Sequence, residues 1–198
     1  MAEDSRAPDA AKSRIKLLEE HEMTPEQLDN YRNTASGKLN LSRLLGQART
    51  MQPGLQAMVS AMMTDITIPP DEREIVILAV LQLDRGAYEW AQHQQVAAEM
   101  GITKAKVDAI AAERFSDPMF NHRERALLAF TRQVVKFVRV DDVVFNELSS
   151  FYDDRQLVEL IEVIGIYMMI LRVSEVAELE VDAVHGADVW KEAARQAK

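Results

Sequence analysis

The chain has 198 residues, of which 47% are hydrophobic and 28% are charged, and 32 acidic against 23 basic side chains give a formal net charge of −9. This length and composition are typical of a folded protein with one domain of ordinary size. The acidic balance argues against binding to nucleic acid or to an anionic membrane. The sequence contains no cysteine, which excludes disulfides, thiolate metal sites and cysteine nucleophiles.

The first residues of the sequence are polar and resemble no signal peptide. The longest apolar run, from Val163 to Leu171, is much shorter than the about 20 residues that a membrane-spanning helix needs. We therefore expect a cytoplasmic protein. Residues 1–13 are expected to form a flexible tail, and residues 14–198 a single all-helical domain.

The low content of glycine and proline, 7 and 6 residues, favours helices over strands and turns. Thr24 has the position of an N-cap, with Pro25 as the first helical residue and Gln27 completing a capping box. Further along the chain, apolar periodicity and breaks at glycine or proline predict helices over residues 39–50, 55–64, 71–85, 87–100, 103–113, 121–138, 141–152 and 155–178.

The helix over residues 71–85 is expected to be buried. Its residues from Ile75 to Leu81 are apolar on every side, a pattern that a short β-strand would also show. The acidic first turn, with Asp71, Glu72 and Glu74, favours the helix, because carboxylates stabilise a helix N-terminus.

The helix over residues 87–100 carries the candidate catalytic residues. Residues three and four apart share a helix face, and here Glu89 and His93 fall on the apolar side. Buried ionisable groups are costly unless they are paired, so we predict that these two side chains pair with each other. Such a pair can supply the proton donor and acceptor of general acid–base catalysis. A plain ion pair at a helix contact or at an oligomer interface is the competing interpretation.

Four other side chains are candidates for the same site. Glu74 either joins it or merely complements its helix dipole. Trp90 either packs in the core or stacks on a ligand. Tyr167, in an apolar run, lines a cavity or hydrogen-bonds across the core. Arg172 either binds a substrate carboxylate or forms a salt bridge with a nearby acid.

The remaining histidines, His21, His122 and His185, lie in polar stretches and are expected at the surface. No histidine and carboxylate spacing typical of a metal site occurs. Glu89 and His93 could supply two metal ligands from one helix face, and Glu74 a third, but without a typical spacing we expect no metal. We also expect no cofactor.

Several stretches resemble the carboxymuconolactone decarboxylase family, which is part of the alkylhydroperoxidase-like superfamily. They are Arg73-Glu74 through Leu83, Gly86-Ala87-Tyr88-Glu89-Trp90-Ala91-Gln92-His93, Met100-Gly101-Ile102-Thr103, Glu124-Arg125-Ala126-Leu127-Leu128, Gln156-Leu157-Val158-Glu159-Leu160 and Gly165-Ile166-Tyr167. The resemblance covers about residues 23–172. It implies an all-α, alkylhydroperoxidase-like helical domain that assembles as a homo-oligomer, a dimer, trimer or hexamer.

The peroxidase branch of that superfamily carries the pattern Glu-x11-Cys-x2-Cys-x3-His. On this sequence the glutamate falls on Glu74 and the histidine on His93, while the two cysteine positions fall on Gly86 and Glu89. Peroxide reduction by a cycling disulfide is therefore excluded, since no thiolate exists to attack the peroxide. The decarboxylase branch, which needs acid–base groups and no redox thiol, resembles this sequence more closely.

These observations predict a cofactor-free lyase, a decarboxylase or isomerase, acting on a small lactone or keto acid. His93 would move the proton, Glu89 would orient or charge it, and Glu74 would assist. Trp90, Tyr167 and Arg172 are the candidate substrate-binding residues. The alternative is a non-catalytic or accessory oligomer that kept the fold, or a protein called an antioxidant only by family name.

Overall fold

The computed structural model describes residues 13–182 and 186–196. Within these ranges the chain forms α-helices joined by short connections, with two 3₁₀ turns at Glu20–Glu22 and Ser36–Lys38 and no strand, so the predicted all-α class is confirmed. The expected tail lies, apart from Ser13, outside the described residues, and so does His185. The helices are α1 (Pro25–Asn33), α2 (Asn40–Leu45), α3 (Gln52–Thr64), α4 (Pro70–Asp84), α5 (Ala87–Glu99), α6 (Lys104–Ala111), α7 (His122–Phe137), α8 (Asp142–Ser149), α9 (Asp154–Val176) and α10 (Gly186–Gln196).

Helix boundaries follow the local signals in the sequence. The capping box at the start of α1 is confirmed, because the Thr24 hydroxyl accepts from Gln27 N and the Gln27 side chain accepts from Thr24 N. The helix predicted over residues 39–50 is wrong in its second half. It ends at Leu45, where the Gly46 N–H closes the last turn and the Gln27 side-chain amide donates to the Gly46 carbonyl.

Helix α4 is the central helix of the structure. It packs against α5, α7 and α9, and its residues from Val76 to Val80 are completely buried. This part of α4 is therefore surrounded by apolar contacts on all sides, as its sequence predicts. Burial of each large aliphatic side chain contributes about 1.5–3 kcal/mol to the free energy of unfolding. The strand interpretation is therefore wrong.

Two residues, Arg85 and Gly86, reverse the chain between α4 and α5. Arg85 adopts a left-handed conformation with φ of 67°, and Gly86 follows as the N-cap of α5. Gly86 is required by a close approach, since a Cβ there would lie 2.9 Å from Leu171 Cβ. The reversal lays α5 back against α4, with α9 packed against both helices.

None of the helices in the described part of the chain is both long and apolar enough to cross a membrane.

Candidate active site

His93 on α5 lies between Glu74 of α4 and Tyr167 of α9 and contacts both. Its Nδ1 is 2.7 Å from Glu74 Oε1, and its Nε2 is 3.1 Å from the Tyr167 hydroxyl oxygen. The rings of His93 and Tyr167 meet edge to face, with centroids 5.1 Å apart and planes at 84°. Three helices therefore bring a carboxylate, an imidazole and a phenol into one hydrogen-bonded chain.

The chemical types of these groups determine which atoms donate. An ionised Glu74 only accepts, so His93 Nδ1 donates to it, and the neutral imidazole then accepts at Nε2 from the Tyr167 hydroxyl. Burial raises the pKa of Tyr167 above its ordinary value, and the negative charge of Glu74 acts in the same direction, so the phenol stays protonated. When His93 is protonated, both of its nitrogens donate, and the Tyr167 hydroxyl can donate to a third group.

The predicted pair between Glu89 and His93 is wrong. Glu89 Oε2 instead accepts a hydrogen bond from the Ser174 hydroxyl on α9 at 2.9 Å, while His93 turns its Nδ1 to Glu74. The wheel of α5 correctly places Glu89 and His93 on one face. It contains no information about the donors and acceptors that α4 and α9 present to that face.

Glu89 is nevertheless an unusual carboxylate. Only 3% of the residue is exposed, and Oε1 has no hydrogen-bond partner among the described residues. Burial raises the pKa of Glu89 above its ordinary value of 4.5, against the opposing effects of the Ser174 hydrogen bond and of His93. A carboxylate that is buried with half of its hydrogen-bonding capacity unused is typical of a functional site, because stability alone disfavours it.

Arg73 is a buried cation that the sequence analysis did not place in the site. It is 2% exposed, and its Nη1 donates to the carbonyl oxygens of Met62 and Met63, near the end of α3. Its Nε and Nη2 have no hydrogen-bond partner in the described ranges. The charge of Arg73 interacts with both Glu74 and Tyr167. The sequence offers one sign of this role, since Arg73 is the single arginine of a helix that is apolar over most of its length.

Two predicted substrate-binding residues lie in other surroundings. Trp90 is partly buried and packs between two hydrophobic clusters, which agrees with the packing interpretation. Arg172 forms an ion pair with Asp84 at 2.5 Å and also donates to the Met168 carbonyl. It lines an apolar groove on α9 to which Glu74, Glu89 and His93 do not contribute. Arg172 is therefore engaged in the salt bridge that the sequence analysis gave as its alternative role.

The other histidines that the structure describes are surface residues, as predicted. His21 is exposed, and His122 is exposed and contacts Glu147. Among residues 13–182 and 186–196, no three histidine, aspartate or glutamate side chains come together as metal ligands would.

The model of the Carboxymuconolactone decarboxylase family matches residues 51–133, the segment that contains α3 to α6 and most of α7. No curated protein matches the chain. The match confirms the resemblance seen in the sequence over these residues, while the stretches at residues 156–160 and 165–167 lie outside it.

Solved structures share the fold at low sequence identity. The alkylhydroperoxidase AhpD core of a peroxidase-related protein from Ralstonia eutropha JMP134 superimposes with a TM-score of 0.78 at 16% identity, covering 90% of this chain and 98% of that one. A peroxidase-related protein from Silicibacter sp. TM1040 gives 0.77 at 15%, covering 92% and 98%. A variant of the debrominase Bmp8, in complex with 2,3,4-tribromopyrrole, gives 0.73 at 15%, covering 96% and 100%. The chain therefore has the alkylhydroperoxidase-like helical fold.

Proposed function

From the match of residues 51–133 to the carboxymuconolactone decarboxylase family, we propose that this protein is a cofactor-free lyase, a decarboxylase or isomerase, of a small lactone or keto acid. The observation that carries the proposal is the hydrogen-bonded chain from Glu74 through His93 to Tyr167. Such a chain can take up a proton at one end and release one at the other without a metal or a redox group.

Each residue of the chain has a distinct role in this proposal. Loss of carbon dioxide, or removal of a proton, leaves an enolate that must be protonated at carbon. Protonated His93 donates from Nε2 to the Tyr167 oxygen, while the Tyr167 hydroxyl gives its proton to the substrate. Glu74 holds the imidazolium through Nδ1, the role that the sequence analysis gave to Glu89. Glu89 adds a carboxylate near the ring, and the interaction with His93 lowers the pKa of Glu89 against the effect of burial.

The experiment compares two histidine variants on the same substrates. Carboxymuconolactone is the first substrate, followed by levulinate in D₂O, where exchange of protons beside the ketone is measured by NMR. We expect His93→Gln to lower the rate by about 10²–10⁴, the usual share of general acid–base catalysis. His122→Gln, a change at an exposed histidine that also contacts a glutamate, is the control and should stay within about twofold of wild type.

The measured rates distinguish three outcomes. Turnover by wild type that falls in His93→Gln and survives in His122→Gln supports the proposal. Turnover that is unchanged in His93→Gln removes His93 from the reaction, and absence of both turnover and exchange in wild type contradicts the proposed activity.

A specific observation favours a second candidate, an accessory oligomer without catalysis. Both ring nitrogens of His93 are already bound by protein groups, so the ring is satisfied without a substrate. In that case Tyr167→Phe should leave every function of the protein intact. In a lyase, the same change removes the hydroxyl that delivers the proton.

We also propose that the protein self-associates through α9. One side of this helix exposes apolar side chains over most of its length, at Val158, Ile161, Met169 and Val176, which are 39% to 65% exposed. Contiguous apolar surface of this kind marks protein interfaces more often than free surface. Light scattering should show an oligomer for wild type and a smaller species for Met169→Glu. Val143→Glu, at an exposed apolar residue of α8, should leave the size unchanged.

A further inference from the structure

The guanidinium of Arg73 is buried with one edge unused. Nη1 donates to two backbone carbonyls at 2.8 Å and 3.2 Å, and these groups lack partners of their own in the last turn of a helix. Nε and Nη2 form the opposite, side-on edge of the guanidinium, with two parallel N–H groups, and neither has an acceptor in the described part of the chain. This edge has the spacing that a carboxylate accepts with both oxygens.

A structural role explains only half of this side chain. A glutamine could donate to the carbonyls of Met62 and Met63 with its two side-chain N–H groups and leave no donor unpaired. The buried guanidinium also loses its hydration, and among the described residues no carboxylate lies within salt-bridge distance to compensate. This burial lowers the pKa of Arg73. A buried cation with an empty, directional edge is typical of a site for an anion.

We propose that the Nε–Nη2 edge of Arg73 binds the carboxylate of the substrate, an inference that rests on the lyase proposed above and restricts its substrates to anionic ones. Arg73 precedes Glu74 on α4, and its charge acts on the Tyr167 hydroxyl. Glu74, the next residue along α4, contacts His93 at 2.7 Å, so Arg73 and the proposed proton relay share the first turns of one helix. Arg172, the carboxylate receptor predicted from sequence, is already paired with Asp84.

Trp190 of α10 forms part of the boundary of this site. The Arg73 guanidinium carbon lies 5.3 Å from the centroid of the Trp190 ring, a cation–π contact that covers the charge with an apolar face. A carboxylate bound to the Arg73 guanidinium would therefore lie close to this ring. The indole is expected to respond when the site fills.

The test uses the Nε–H resonances of the full-length, arginine-labelled protein and two small molecules of similar shape. Levulinate carries a carboxylate and a ketone, whereas 2-pentanone carries only the ketone. We expect levulinate to shift the Arg73 Nε–H signal saturably, and 2-pentanone to leave it unchanged. Arg73→Lys keeps the charge and loses the fork, so it should weaken levulinate binding by about tenfold or more. Arg172→Lys is the matched control and should change it less than twofold.

The outcomes separate this inference from the proposed function, since binding needs no turnover. Saturable binding that depends on Arg73 and persists in His93→Gln supports the site, even where no substrate is turned over. Absence of a levulinate shift in wild type overturns the inference, and so does equal binding in Arg73→Lys. Should Arg73→Lys fail to fold, the wild-type comparison between levulinate and 2-pentanone still decides. Normal KM values for a carboxylate substrate in Arg73→Lys would overturn the inference and leave the lyase standing.

Discussion

Replacing Glu89 by methionine should stabilise the protein at neutral and alkaline pH. Methionine has a similar length and no charge, so the change removes a carboxylate that is 3% exposed and has one oxygen without a partner among the described residues. The Ser174 hydroxyl is not left unpaired, because it also contacts the Leu171 carbonyl oxygen at 3.0 Å. The change therefore removes an unfavourable burial without creating a new one.

The magnitude follows from what Glu89 gains and loses on folding. A buried, unsatisfied polar atom costs about 1–3 kcal/mol, and more where the group is charged. The position of Glu89 in the first turn of α5 returns about 0.3–1 kcal/mol through the helix dipole. The free energy of unfolding of Glu89→Met should exceed that of wild type by about 1–2 kcal/mol at pH 8. For a chain of this size, this corresponds to a rise in Tm of about 2–8 °C.

The pH dependence gives the sharper test. Because burial raises the pKa of Glu89, the folded protein binds this proton more tightly than the unfolded chain does. The contribution of Glu89 to the free energy of unfolding is therefore highest below pH 4.5. It falls as the pH rises through the raised pKa of Glu89 in the folded protein. The advantage of Glu89→Met should be largest at pH 8 and should vanish towards pH 4.5. Glu99→Met, at an exposed glutamate of the same helix, should show no such trend.

Circular-dichroism melts at equal protein concentration, from pH 4.5 to pH 8, measure both quantities. A Glu89→Met variant less stable than wild type at pH 8 would refute the reasoning. An advantage that grows as the pH falls would refute it equally.

Two further predictions concern the glycine between α4 and α5 and the missing thiols. Gly86→Ala should lower the free energy of unfolding, measured by urea titration, by about 1–3 kcal/mol, because a Cβ would meet Leu171 Cβ at 2.9 Å. Gly165→Ala, in an open helical position, should raise the free energy of unfolding by about 0.5–1 kcal/mol. Equal effects of the two substitutions would contradict the close packing at Gly86. The purified, metal-free protein should not reduce an organic hydroperoxide with a dithiol, since it contains no cysteine, and sustained turnover in a coupled peroxidase assay would contradict this.

The fold was predictable from the sequence because its signals are local. Each of three signals determines the structure of residues only a few positions away. They are the capping box at Thr24, the all-round apolar pattern of α4 and the break at Gly86. The second half of the helix predicted over residues 39–50 failed for the opposite reason. Its end depends on Gly46, whose carbonyl is bound by Gln27 from a different helix.

The candidate site was only partly predictable, because it is assembled by packing. The wheel of α5 identifies Glu89 and His93 as polar groups on an apolar face, but their partners come from α4 and α9. The pairing of His93 with Glu74 rather than with Glu89 depends on how α5 lies against its neighbours. Arg73 went unrecognised for the same reason, since its burial results from α3 and α10 closing over the start of α4.

Gly86 and Glu89, which fall on the two cysteine positions of the peroxidase pattern, lie in surroundings that do not suit a pair of thiols. Gly86 has no space for a side chain, since a Cβ would also lie 3.1 Å from Leu81 Cδ2. Glu89 has placed a carboxylate in hydrogen-bonding contact with Ser174, where a shorter cysteine would leave a gap. Cysteines at both positions therefore require the backbone of α9 to move away from α5. Such a shift typically costs an overpacked core about 1–3 kcal/mol of folding free energy. The Glu74–His93–Tyr167 chain depends on that same contact between α5 and α9, so the packing that excludes the thiols is also the packing that holds the proposed proton relay together.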